Sequence, residues 1–435
     1  METTNINSWV DSAVREQPVW DMHTHLYAPT FGTPVPNATG QTDPAGLLLW
    51  GIDELVTYHY LVAEVYRIVP STKLPYEQFW KMSKQQQADH IWKHLFVERA
   101  PLSEACRGVV TTLTKLGLDP NAKNLNEFRK YFAAMKPSDY IDKVMKVANV
   151  NAITMTNEVF TDNERNRWIA NPNVADDPRF RPVLRLDPLI RDWAGASKKL
   201  ADLGYKVTAE ANDASVAEVR RFLGDWIKKM KAIYLAVSLP PEFRYPAPSN
   251  DPVAAAGITM LTKAILPTAQ EYNVPFAMMI GARQKVNPSL GDAGDIGGLA
   301  DTYTVAKLCA DFPNNKFFCT MLCRENQHDL AVVARKFGNL MVFGCWWFMN
   351  IPSIIDEITR LRLELLGTTF IPQHSDSRVL DQLIYKWEHS RVIIGNVLKD
   401  QYAKAVAAGW KITQDNVKQD VKLLLHDNFA NFVAK

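Results

Sequence analysis

Cysteine is scarce in this 435-residue chain: five residues, at 106, 309, 319, 323 and 345, too few and too irregularly spaced for a disulfide framework. Cys319 and Cys323 stand four apart with no second pair to complete a zinc site, so they read as core thiols. An excess of charge is lacking too. Lys and Arg number 49 against 47 Asp and Glu, a formal net charge of +2, which leaves no electrostatic footprint for nucleic acid or an acidic membrane surface. No uninterrupted apolar run reaches membrane-spanning length, and the opening METTNINSWVDSAVREQ lacks the basic-then-apolar order of a signal peptide. A cytoplasmic protein is expected. There is no convincing internal repeat or low-complexity tract, and the 47% hydrophobic share is that of a globular protein with a sizeable core.

Eight short apolar or β-branched runs recur along the chain, at 18–23, 151–156, 181–186, 232–238, 274–281, 316–322, 340–345 and 369–374. Helical patterns lie among them, at Asp213–Met230, Val253–Glu271, Gln327–Phe337 and Ser353–Leu366. In the last, Ile354, Ile355, Ile358, Leu361 and Leu365 form an apolar stripe, with Asp356, Glu357, Arg360 and Arg362 on the other face. Such alternation predicts parallel βα units. Eight of them predict an α/β fold closed into a (β/α)8 TIM barrel, one domain over 1–435.

The first interval breaks the rhythm, with about 130 residues between runs against roughly 20–45 elsewhere. Patterns at Leu47–Tyr66, Tyr76–Arg99, Ser103–Leu116 and Leu125–Met135 predict a mostly helical insertion, 27–147, over the C-terminal rim where barrel sites lie. The Pro-, Gly- and Thr-rich stretch 26–46 predicts a rim loop, and helices over 379–409 and 414–434 follow the eighth run.

Asp21-Met22-His23-Thr24-His25 closes the first run. Side chains alternate along a strand, so His23 and His25 point the same way, a ready pair of nitrogen ligands for a divalent metal. Alone, such a pair is as often two packed or surface histidines. Asp376, in Ser375-Asp376-Ser377-Arg378, follows the eighth run, which neighbours the first in a closed barrel. It could bind the metal or shuttle a proton; it or Ser377 could instead cap the next helix. The set fits one divalent ion, Zn²⁺ first, with Mn²⁺, Fe²⁺ and Ni²⁺ also compatible. No lysine lies on the fourth run and no histidine ends the fifth or sixth, which argues against a binuclear centre. His90 and His94 share a helix face and read as surface histidines; the run from Gly291 to Gly298 reads as a rim loop, since no Lys-Ser/Thr follows it.

The His-x-His pair with an Asp after strand eight resembles the amidohydrolase superfamily. Further runs resemble one branch of it, the uronate (glucuronate/galacturonate) isomerases. These are His59-Tyr60, Ile280-Gly281-Ala282-Arg283, Cys323-Arg324-Glu325-Asn326, Gly344-Cys345-Trp346-Trp347-Phe348, Ser375-Asp376-Ser377-Arg378 and Asn428-Phe429-Ala430-Asn431-Phe432. The likeness spans nearly the whole chain. It implies a metal site of His23, His25 and Asp376, and proton handling by His59 and Tyr60. It also implies substrate contacts from Arg185, Arg283 and Arg378, and a pocket wall of Trp346 and Trp347.

The implied reaction is metal-dependent aldose–ketose isomerisation of D-glucuronate, D-galacturonate or a close sugar acid through an enediol. Tyr60, its pKa lowered by His59 or an arginine, would take the proton. A metal-dependent hydrolase, or a sugar-acid epimerase or dehydratase of the same superfamily, is the alternative. The expected partners are a small-molecule sugar acid and further copies in a homo-oligomer, with no nucleic acid or membrane. Three positions depart from the family. Met279 stands where it carries a histidine, Ala236-Val237-Ser238 lacks a carboxylate, and Thr156-Asn157 ends strand two where an Asp is common. The far side of the pocket is therefore expected to be altered.

Overall fold

The computed structural model describes residues 2–32, 46–171 and 173–434. Most of the predicted rim loop, 33–45, lies outside the described residues. Seven strands, β1 (Val19–Thr24), β2 (Val150–Glu158), β3 (Phe180–Arg185), β4 (Leu235–Leu239), β5 (Phe276–Ile280), β6 (Phe317–Met321) and β7 (Leu340–Val342), pair in chain order as one parallel sheet. Parallel neighbours consecutive in the chain require crossover connections, which here carry helices.

The eighth run forms no regular strand, a correction to the sequence expectation. Ile371 makes a single bridge to Phe343, and Pro372 then offers no N–H to a ladder. The strap 371–377 nonetheless fills the eighth stave. On one side Gly344 N–H donates to the Ile371 carbonyl (2.8 Å); on the other Asp376 N–H donates to His23 O (3.1 Å) and His25 N–H to Ser377 O (2.8 Å). The barrel closes through this strap.

Met22, Ala236, Ala277, Met279, Phe318 and Phe343 pack together inside the barrel. The helix Asn428–Val433 plugs its floor, with the rings of Phe429 and Phe432 centred 5.8 and 4.7 Å from Phe318. Asn428 ties that helix to the carbonyls of Thr368 (2.6 Å) and Phe370 (2.8 Å).

Between β1 and β2 the pattern at 47–66 breaks in two. Tyr58 is extended (φ −59°, ψ 142°), so Ile52–Val56 ends and a new helix starts at His59. Tyr76–Arg99 breaks likewise, at Ser83, whose hydroxyl and Gln86 form a capping box. The opening residues form a helix, Glu2–Glu16, that was not predicted; it packs on the long helix Gln382–Ala407. Arg362 is buried rather than solvated: it donates to Gly344 O and Gln327 Oε1, both at 2.8 Å. Among the described residues one helical stretch, Pro252–Glu271, has the length and mean hydropathy (1.2) of a membrane span, and 44% of it is buried inside the fold.

Candidate metal centre and substrate pocket

The local phase of β1 decides where its histidines point. Met22 packs inside the barrel, with Trp20 against the same cluster. Strict alternation would turn His23 and His25 outward. Between Asp21 and Thr24, however, β1 spans three residues where β2 spans two, Ile153 to Met155. This bulge resets the phase by one residue and brings both histidines inward.

There His23 Nε2 and His25 Nε2 stand 3.5 and 3.3 Å from the same oxygen, Asp376 Oδ1. All three ligand atoms lie within 4.8 Å of one another. A metal with ~2.1 Å bonds and tetrahedral angles separates its ligand atoms by about 3.4 Å, so the spacing fits. The chemistry of the donors fits too. His23 Nε2 and Asp376 Oδ1 are buried without a hydrogen-bond partner, a costly arrangement for the protein alone. His23 Nδ1 lies 3.3 Å from Thr156 Oγ1, the kind of contact that fixes a ligand's tautomer. Burial holds His25 neutral, its pKa lowered to about 4 despite Asp376, with Arg378 adding to the effect. Burial alone would raise Asp376, but the facing imidazoles of His23 and His25 hold it well below the carboxylate range.

Asp376 and Ser377 cap no helix, because the next one begins only at Gln382. Asp376 instead adopts a left-handed backbone (φ 51°), which turns its carboxylate toward β1.

His59 and Tyr60 open their helix beside this corner. The His59 ring stacks on Trp347 (5.7 Å, 10° between planes), and Trp347 stacks on Phe348 (4.8 Å, 15°). Trp346 is buried 6.1 Å from Trp347. Burial lowers the His59 pKa to about 3, with Arg378 contributing. The Tyr60 hydroxyl is pushed well above its usual range by burial and then by Tyr58 and Asp376, which corrects the expected lowering. Arg378 donates to Asp292 Oδ2 (3.0 Å), so the glycine-rich rim loop does reach the site. His90 and His94 pack edge to face, and His94 Nδ1 meets Glu98 at 2.8 Å.

No protein-family model and no curated protein matches the sequence. Among solved structures, a uronate isomerase from Bacillus halodurans C-125 matches with a TM-score of 0.92 and 50% identity, over 100% of this chain and 97% of that one. The chain belongs to the uronate isomerase family. Two distant structures share its fold. A uronate isomerase from Thermotoga maritima has a TM-score of 0.77 and 18% identity over 99% of this chain and 97% of its own. A glucuronate isomerase from Caulobacter crescentus has a TM-score of 0.74 and 13% identity over 99% and 94%.

In this member of the uronate isomerase family, carboxylates from outside the strands stand beside the ends of β2 and β4. Asp187 Oδ1, just beyond β3, accepts the N–H of Ser238 on β4 (2.8 Å). The same carboxylate grips Arg185, which also faces Glu158 at 3.4 Å. At the end of β2, Asn157 donates to Glu164 (2.6 Å), which also accepts from Glu158 N–H (2.9 Å) and the Tyr27 hydroxyl (3.2 Å). Burial raises Glu164 to about 7. Arg283 is half exposed on the short ribbon Ala282–Arg283 and pairs with Glu242 at 2.6 Å.

Three further buried groups surround the ligands: His374, one residue before Ser375 and a candidate pocket residue by its place in the sequence, and two that sequence reasoning passed over, Asp21 and Lys386. His374 packs edge to face on His23 (5.4 Å) with both ring nitrogens unpartnered. Asp21 and Lys386 flank the strap, and burial lowers Lys386 to about 8 despite the pull of Asp376 and Asp21. Asp21 had a signal, two positions before His23 in a buried run. Lys386, inside a long helix, had none.

Proposed function

We propose that this protein is a metal-dependent aldose–ketose isomerase of a hexuronate, D-glucuronate or D-galacturonate. The observation that carries the reading is the 50% identity, along the whole chain, to a uronate isomerase. His23, His25 and Asp376 would hold one divalent cation, Zn²⁺ first. When bound, it supplies Lewis-acid polarisation of a substrate oxygen and so acidifies the C2 proton.

The chain's own groups do the rest. Arg378, with a planar fork suited to carboxylates, contacts the substrate after exchanging Asp292 for it, and Arg185 lines the opposite side. Trp347 and Trp346 wall the pocket, and the neutral His59 ring, held flat on Trp347, presents a nitrogen to a sugar hydroxyl. Asp376, ionised at any working pH, takes the proton from C2 of the aldose. Tyr60, a neutral phenol, gives its proton to O1. The resulting enediol returns the O2 proton to Tyr60, and Asp376 delivers the carbon proton to C1, which completes the ketose with every proton accounted for.

The test is proton exchange. The metal-loaded protein is incubated in deuterated water with each aldouronate and its ketouronate, and the products are followed by NMR. A new ketose or aldose carrying deuterium at C1 or C2 is expected. No conversion of any of them would overturn the reading.

A further inference from the structure

Two buried charges act on the backbone of one residue, Ser375, behind the candidate ligands. The N–H of Ser375 donates to both oxygens of Asp21, at 3.1 and 3.3 Å. The carbonyl of the same residue accepts from the Lys386 ammonium and, at 3.4 Å, from Asn350. Asp21, Ser375 and Lys386 are 0%, 0% and 3% exposed. Trp387, next to Lys386, donates its indole N–H to Asp21 at 2.8 Å, so the helix Gln382–Ala407 engages both ends of the clamp.

The placement matters because of what each partner adjoins. Asp21 lies two residues before His23, and Ser375 lies one before Asp376. Between the backbone bonds at the two ends of the strap, residues 372–375 have no backbone ladder to keep their register, and Asp376 sits in a left-handed conformation that its surroundings must impose. The anion holds the amide before the Ser375 Cα and the cation holds the amide after it, two charge-assisted hydrogen bonds that are strong in a dry setting.

We propose that Asp21 and Lys386 are positioning residues: holding the backbone of Ser375 on both sides of its Cα, they set the distance from Asp376 to His23 and His25 and so the affinity for a divalent cation. The inference rests on the reading of those three residues as metal ligands. Substitution of either clamp residue loosens the site without touching a donor atom, as outer partners of metal ligands do.

The test titrates Zn²⁺ against a chelator and records the Co²⁺ absorption spectrum for wild type, Asp21→Asn, Lys386→Met, the double variant and Lys386→Arg. Zn²⁺ affinity is expected to fall about 10–100-fold in the first two and in the double variant, with an altered Co²⁺ spectrum. Lys386→Arg, which keeps a charged donor, should bind nearer to wild type. A single variant leaves one buried charge unmatched and is the one at risk of not folding. The double variant removes both, so its urea midpoint should recover while its metal affinity stays low. Wild-type affinity and spectrum in the double variant would overturn the clamp alone. A wild-type chain that takes up no cation would overturn the ligand assignment as well.

Discussion

The imidazole of His374 fills the space that a side chain at position 344 would need. A Cβ built on Gly344 would stand 1.7 Å from His374 Nδ1, and Gly344 has φ +64°. This glycine is required twice over, by the close approach and by its backbone. Because His374 in turn abuts His23, the contact transmits to the candidate metal site. Gly344→Ala is expected to cost about 2–4 kcal/mol in urea unfolding and to weaken Zn²⁺ binding. An unchanged unfolding midpoint would show that the ring can move aside.

His23→Ala, His25→Ala and Asp376→Ala should each lower bound metal from one per chain and abolish turnover, with far-ultraviolet circular dichroism retained. Elemental analysis of the purified variants decides the matter: full metal content in any of them removes that residue from the ligand set.

Tyr60 is a protonated hydroxyl across the working range, since burial raises its pKa. Tyr60→Phe should keep the metal and lower kcat by about 10²–10⁴-fold. The kcat–pH profile of the wild type should show no rising limb from Tyr60 at or below pH 10. A rising limb at or below pH 10 that vanishes in Tyr60→Phe would restore the phenolate base expected from the sequence.

Glu164 and His59 shift stability in opposite directions. Glu164 rises to about 7 from 4.5, so the folded state holds its proton more tightly than the unfolded one. Its contribution is full below pH 4.5 and is lost as pH rises through 7, on the order of 3 kcal/mol. His59, lowered to about 3 from 6.5, contributes above pH 6.5 and loses that contribution as pH falls. Glu164→Gln should therefore gain stability relative to wild type between pH 5 and pH 8, measured by urea midpoints. A constant difference across that range would mean that Glu164 titrates normally.

Periodicity and motif spacing carried the architecture. Seven of the eight predicted runs are strands, within a few residues, because parallel strands buried on both faces must be short and apolar. The eighth could not be judged that way: Pro372 sits inside an apolar stretch that reads as strand, and between the backbone bonds at its two ends the strap is held by Asp21, Gln373 and Lys386 side chains instead. The His-x-His pair was legible, but the bulge that aims it inward depends on register with β2, which one strand does not encode.

The sequence by itself determined the alternation of strands and helices, the pairing of His23 with His25 and the family likeness, since each is written in local spacing. Only the tertiary structure decided that Asp187 and Glu164 bring carboxylates to the ends of β4 and β2, that burial raises the Tyr60 pKa, and that Lys386 faces Asp21 across Ser375. Hydrogen-bond partners and burial come from residues tens to hundreds of positions apart, and those set both pKa values and geometry once water is excluded.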